Sequence, residues 1–223
     1  MNYAGDLMSR PVKSRRPYDA TRRRETAERT RAEILDVAER RFLTEGFAAT
    51  TIAAIADEAG VSQASIYKSF GGKPGLVRSL IDRGLRGEGP VAAEHRSDWL
   101  QSHEPDPHQL MLGMGRLAAE VGPRVSPLQS LLIQAAQSDE EVARLWDEIS
   151  AERMTRMRHN AESLARRGLL RGDISVRLAA ETMWVYSSPE LYQLLITGLG
   201  WTTEHYGAFV ANALEAALLP TKH

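Results

Sequence analysis

Between Ala59 and Phe70 the chain reads AGVSQASIYKSF, and these side chains suit one kind of chemistry. Gln63 carries an amide that donates and accepts at once, the pattern that matches the exposed edge of adenine. Ser65 offers a hydroxyl with both roles, and the Ala64 methyl can lie against the methyl of thymine. Tyr67 and Lys68 carry a phenol and an ammonium, which bind phosphate oxygens without reading sequence. Ser62 stands where a helix N-cap is needed. A slim helix bearing these groups fits a major groove about 12 Å wide.

Such a helix must be held from behind. With Ile66 at the centre of the buried side, Phe70 falls about 40° away at ~100° per residue, and Val61 joins them from the turn. Ala64 and Lys68 then point outward, with Ser65 and Tyr67 on the flanks and Gln63 at the tip. The preceding segment, from Thr50 and Thr51, puts Ile52, Ile55, Ala56 and Ala59 on one face and ends at Gly60. Upstream, Thr30 and Glu33 form a capping box. Ile34, Ala38 and Phe42 follow at four-residue spacing, and Gly46 stops that helix. A fourth helix follows GGKPG and runs through Leu76, Leu80 and Leu85 to the seam at GEGP, 87–90. Two short helices joined by a Gly-containing turn and braced by a third make a helix-turn-helix. Helix N-termini near Thr51 and Lys73 present free N–H groups to anions, and the Thr51 hydroxyl and Lys73 ammonium add to them.

The run RAEILDVAERRFLTEGFAATTIAAIADEAGVSQASIYKSFGGKPGLVRSLID resembles the DNA-binding region of the tetracycline-repressor (TetR) family of transcriptional regulators. It carries A-x-x-x-F, G-F-x-x-T-T, I-A-x-x-A-G-V-S and I-Y-x-x-F in the family's order. The resemblance implies a helix-turn-helix at 51–70, with Gln63, Ala64 and Ser65 facing bases and Tyr67 and Lys73 holding phosphates. Gly71-Gly72 departs from the family, which more often places Ser or Asn there to cap the next helix. Such regulators pair this unit with a divergent helical domain that dimerises and often binds a small molecule. The resemblance therefore implies a homodimeric repressor on a palindromic operator in double-stranded DNA, released by a small apolar ligand. The alternative is a DNA-binding regulator with no small-molecule inducer.

The remainder also reads as helix, so the expected fold class is all-α. Asp106-Pro107 and Ser126-Pro127 each look like a helix start, with a cap, Pro at the first helical position and Gln three residues after the cap. Ser138 with Glu141 opens a long helix to about Gly168. Another starts after Asp173 and must restart at Ser188-Pro189, and the last spans roughly Thr203 to Leu219. Three parts are expected: a basic disordered arm over 1–27, the DNA-binding unit over 28–88, and a helical regulatory unit over 89–223. Met111, Met114, Leu117, Leu132, Trp146, Met183 and Trp184 could line an adaptable apolar pocket or simply fill the core; Gln129 and Gln134 could orient a ligand there. The apolar face of the last helices, with Leu191, Leu195, Tyr206, Phe209, Val210, Ala213, Leu214 and Ala217, is the expected dimer surface.

Composition limits the alternatives. The chain is 43% hydrophobic and 26% charged, enough for a core, and it has no cysteine. That excludes a disulfide scaffold and a thiol nucleophile and fits a reducing compartment. No apolar run approaches the ~20 residues that cross a bilayer, and no secretory leader is expected, so the expected location is cytoplasmic with no membrane partner. The net charge of −1 hides an asymmetry, because residues 1–80 hold 14 Lys and Arg against 10 Asp and Glu. A basic end on an acidic body fits a nucleic-acid-facing module. GMGRLA at 113–118 matches a dinucleotide fingerprint but follows no strand. The pair His103 and His108 is a weak metal pattern. No catalytic constellation stands out, so neither an enzyme nor a cofactor is expected.

Overall fold

Ile34, Leu35, Ala38 and Phe42 form one buried stripe of α1 (Pro17–Ala49) in a computed structural model that describes residues 17–87 and 89–220. The helix starts well before Thr30. Residues 17–27 are helical and not a disordered arm, because Arg, Glu and Ala are good helix formers there and Arg24 pairs with Glu28 one turn on at 3.0 Å. Residues 1–16 of the expected arm lie outside the described residues. Gly46 leaves helical geometry at φ 84°. Next come α2 (Ile52–Glu58) and α3 (Gln63–Phe70), whose starts are held by Thr51 accepting from the Ala54 N–H at 3.1 Å and Ser62 accepting from the Ser65 N–H at 3.2 Å. Gly71 closes α3 in the left-handed region at φ 79°, a conformation that favours glycine. The following helix, α4 (Lys73–Arg86), begins at Gly72 with no side-chain cap, the departure visible in the sequence.

The second half holds α5 (Ala93–His103), α6 (Pro107–Ala135), α7 (Glu140–Arg166), α8 (Val176–Tyr186), α9 (Pro189–Tyr192) with a π-helical turn at Gln193–Gly198, and α10 (Thr203–Leu218). No strand occurs among the described residues, and the fold is all-α. Sequence signals give no helix start between the seam and Asp106, yet α5 buries Ala93, Ser97 and Gln101 at four-residue spacing. Ser126-Pro127 does not start a helix, since α6 runs through both Pro123 and Pro127. Each proline removes a backbone hydrogen bond, but burial of Val125, Ser126, Leu128, Gln129 and Leu132 on one face keeps the helix continuous. Asp139, one residue after Ser138, caps α7, and Ser188 restarts the chain at Pro189 as expected.

Helix α6 packs against α1, α4, α5, α7, α9 and α10. Its crossing with α10 is closest at two glycines. A Cβ on Gly115 would stand 2.3 Å from the Gly207 carbonyl oxygen, and one on Gly207 would stand 2.8 Å from that of Gly115. One apolar cluster joins α1–α4 to Val125, Leu128 and Leu132 of α6 and Val142 and Ile149 of α7. A second joins α6, α7, α8 and α10 around Leu110, Met111, Leu164, Met183, Val210 and Leu214. The core therefore runs across the 87–90 seam. Gly115→Ala is expected to lower stability by about 1–3 kcal/mol through overpacking, despite its better helix propensity. Urea unfolding of wild type and variant would measure this; an unchanged midpoint would mean that the crossing relaxes freely.

Candidate nucleic-acid interface and the cavity behind it

The outer face of α3 is almost free of the protein's own packing. Ile66 and Phe70 are buried, while Gln63, Ala64, Ser65, Tyr67 and Lys68 are exposed, Tyr67 to 54%. Ser62 and Ser65 share a hydrogen bond between their hydroxyls at 2.8 Å, so the cap is doubly tied at the tip of the helix. The exposed Thr51 caps α2 beside it. Lys73 sits differently from a free phosphate ligand. Its Nζ donates to the Phe47 carbonyl at 2.9 Å and lies 4.5 Å from the Phe47 ring centre. One of its three donors thus fixes the start of α4 to the end of α1.

Arg31 was missed by sequence reasoning. From α1 its guanidinium covers the Phe70 ring at 4.2 Å, donates to the Ser69 carbonyl at 3.0 Å and reaches the Ser79 hydroxyl at 3.2 Å. It therefore holds the last turn of α3 and the middle of α4 together. No motif marks it, because an arginine in a charged helix reads as solvated. Other charges of the unit are paired internally: Arg83 with Asp36 and Glu39 at 2.6 and 2.8 Å, and Glu58 with both Arg40 and Arg41.

Behind this unit lies a cavity of about 340 Å³ walled by α4, α5, α6, α7, α8 and α10. Met114, Leu117 and Met183 line it, as does Gln129. The other expected pocket residues do not. Met111 and Leu132 are fully buried core side chains, Trp146 packs on the apolar cluster beneath α1–α4, and Gln134 is exposed outside the cavity. Trp184 lies under the Arg153 guanidinium, 4.1 Å from its ring centre. Helical spacing places sulfur and indole groups on inward faces without saying whether the space beyond is filled. Sequence reasoning also missed Arg153, which lines the cavity. Burial pulls its guanidinium down to about 10, against the field of Glu190 and Tyr206, so it stays charged at neutral pH. Burial also pushes the Tyr206 phenol up to about 12.

Four of the eight residues of the expected dimer surface are turned inward. Leu195, Tyr206, Val210 and Leu214 are buried within the chain, the last three where α10 packs on its neighbours. Leu191, Phe209, Ala213 and Ala217 are half-buried. Phe209 meets Tyr186 and Trp201 edge-on, at 6.1 and 5.5 Å. The strongest apolar stripe of α10 faces the interior. Its outward line is Ala208, Asn212 and Ala216, and on α8 Leu178 and Val185 stand exposed. His103 and His108 hold no common site: His103 turns to the Trp99 carbonyl, and His108 pairs with Glu215 of α10 at 2.5 Å.

An all-helical chain whose third helix keeps only two side chains inside and offers six polar or small ones outside carries a helix-turn-helix. Residues 34–80 match the model of "Bacterial regulatory proteins, tetR family", and in this region the chain is similar to that family. It is 48% identical over 61 residues to the HTH-type transcriptional regulator TtgR of Pseudomonas putida, a match covering 27% of this chain and 29% of that relative. The match thus spans less than a third of the relative's length. Among solved structures it resembles NalD, the secondary repressor of the MexAB-OprM multidrug efflux pump in Pseudomonas aeruginosa, with a TM-score of 0.67 at 19% identity over 88% of this chain and 100% of that one. A transcriptional regulator from Saccharomonospora viridis in complex with choline gives a TM-score of 0.63 at 16% identity over 87% of this chain and 100% of that one. These structural likenesses extend the shared fold over the C-terminal half.

Arg31→Ala is expected to raise amide exchange across α3 about tenfold and to leave α7 and α10 unchanged, because it removes one ring contact and two hydrogen bonds that tie α3 to α1 and α4. Hydrogen exchange read by mass spectrometry would check this. A uniform rise over the whole chain would assign Arg31 to global stability instead.

Proposed function

We propose that the protein is a sequence-specific transcriptional regulator of the cytoplasm, a homodimeric repressor that leaves a palindromic operator when a small molecule with an apolar body fills the cavity. The observation that carries this is the outer face of α3. A helix that buries Ile66 and Phe70 alone, and exposes Gln63, Ala64, Ser65, Tyr67 and Lys68, is shaped for base edges and flanking phosphates. One such helix reads few base pairs, so a two-fold pair of copies is needed for useful specificity. The exposed Leu178 and Val185 of α8 and the small outward residues Ala208 and Ala216 of α10 give a surface on which two copies can approach closely. The cavity favours ligand control over a regulator with no inducer, because α4 forms part of its wall. A ligand that fits only one position of α4 shifts the population between binding-competent and incompetent spacings of the two heads.

Selection of genomic fragments by the full chain is expected to return a palindrome with half-sites about 10 base pairs, or a multiple, apart. Lys68→Ala should weaken binding to all sequences and reduce the salt slope by about 1 per lysine removed. Tyr67→Phe should weaken it uniformly with no change in slope. Gln63→Ala should relax preference at one position by about 1–3 kcal/mol. Failure to enrich any site, or three variants that bind as the wild type does, would overturn the reading.

A further inference from the structure

Three arginines line the cavity, and two of them are neutralised. Arg78 pairs with Asp82 at 3.0 Å and with both carboxylate oxygens of Glu152 at 3.0 and 2.8 Å. Arg156 pairs with Asp98 at 2.8 Å. Arg153 has no carboxylate at ion-pair distance among the described residues. Its Nη1 donates to the Trp184 carbonyl at 2.6 Å and to the Ser187 hydroxyl at 3.3 Å, while Nε and Nη2 are buried with no partner. Arg153 has the Trp184 face and the more distant field of Glu190, but two buried donors left idle are costly unless something completes them. Much of the surrounding wall is apolar, with Met114, Leu117, Met157 and Met183, and its carboxylates are Asp82, Glu94 and Glu152. Asn160 lies seven residues beyond Arg153 on α7, hence on the same stripe and about 10 Å further along the axis. It also lines the cavity, is 2% exposed, and keeps an amide oxygen with no donor.

We propose that the cavity takes a monocarboxylate with an apolar body, its carboxylate on the Arg153 guanidinium and its body along the methionine wall. The planar fork of arginine suits a carboxylate, which can accept two parallel N–H bonds. A single charge is favoured because Arg78 and Arg156 already have acids, so a dianion would bury a surplus negative charge. The Asn160 oxygen would accept from a hydroxyl or N–H at the far end of a ligand about 10 Å long. This rests on the ligand-controlled reading of the cavity, but its test needs no DNA.

Calorimetric titration of the full chain with para-phenylbenzoate and decanoate, against para-phenylbenzamide and decanamide, compares charge at nearly constant shape. Each carboxylate is expected to bind the wild type about 10- to 100-fold more tightly than its amide, the range of a charge-assisted hydrogen bond. Arg153→Gln should abolish that preference, bringing acid and amide to similar affinities. Amides that bind the wild type as well as the acids do, or no binding by either carboxylate, would overturn the proposal, and this arm decides alone if Arg153→Gln fails to fold. So would a folded Arg153→Gln protein that keeps the full preference. A carboxylate preference in a protein that selects no DNA site would leave the ligand assignment standing and remove the repressor reading.

Discussion

Helix α4 is enclosed on two sides, and this constraint ties the molecule together. Leu76, Val77, Leu80 and Ile81 are all buried, packed in the cluster that also holds Ile34, Phe42, Ile55 and Ile66 of the N-terminal unit and Val125 and Leu128 of α6. Further round the same helix, Arg78, Asp82 and Leu85 join Ile81 in the cavity wall. At Gly84 the approach to α6 is so close that a Cβ would stand 2.8 Å from a Val125 methyl. Interiors packed to this density do not deform continuously. Any displacement of α4 would therefore be a displacement of the whole helix, and the short helices packed on it would follow.

The exposed surface of α3 gains meaning from how the neighbouring charges are arranged. Arg83 bridges α4 to Asp36 and Glu39 of α1, and Glu58 of α2 takes Arg40 and Arg41. Each exposed pair contributes little alone, but together they quench much of the positive field on the sides of the unit. Lys68, on the outer face of α3, forms no ion pair among the described residues. Arg31 and Lys73 act inward, on carbonyl oxygens and aromatic faces, and set the pose of α3.

Much of the N-terminal unit was legible because its signals are local. Thr51 and Ser62 cap the helices that the sequence assigned to them, Gly60 and Gly71 end those helices, and the phase about Ile66 placed each α3 side chain on the correct side. The C-terminal half depends on longer-range information. Periodicity finds the apolar stripe of α10 but cannot say whether α6 of the same chain or a second copy covers it; here Gly115 and Gly207 let α6 take that face. Helix α5 was hidden because its buried positions include Ser97 and Gln101. Of the seven residues proposed for a pocket, Met114, Leu117 and Met183 line it. Whether a methionine faces a void or a neighbour depends on how six helices meet. Arg153 was illegible for the same reason: its missing carboxylate is a property of the assembled fold.

The prolines of α6 give the cavity wall a mechanical property. Pro123 and Pro127 delete two backbone bonds one turn apart on the stretch whose Val121, Gly122, Val125, Ser126 and Gln129 border the cavity. A rod missing two internal struts within one turn has a lower bending stiffness there than elsewhere. Ile81 of α4, by contrast, is locked in the core, so local yielding is confined to α6 and a push on α4 is passed along the whole helix.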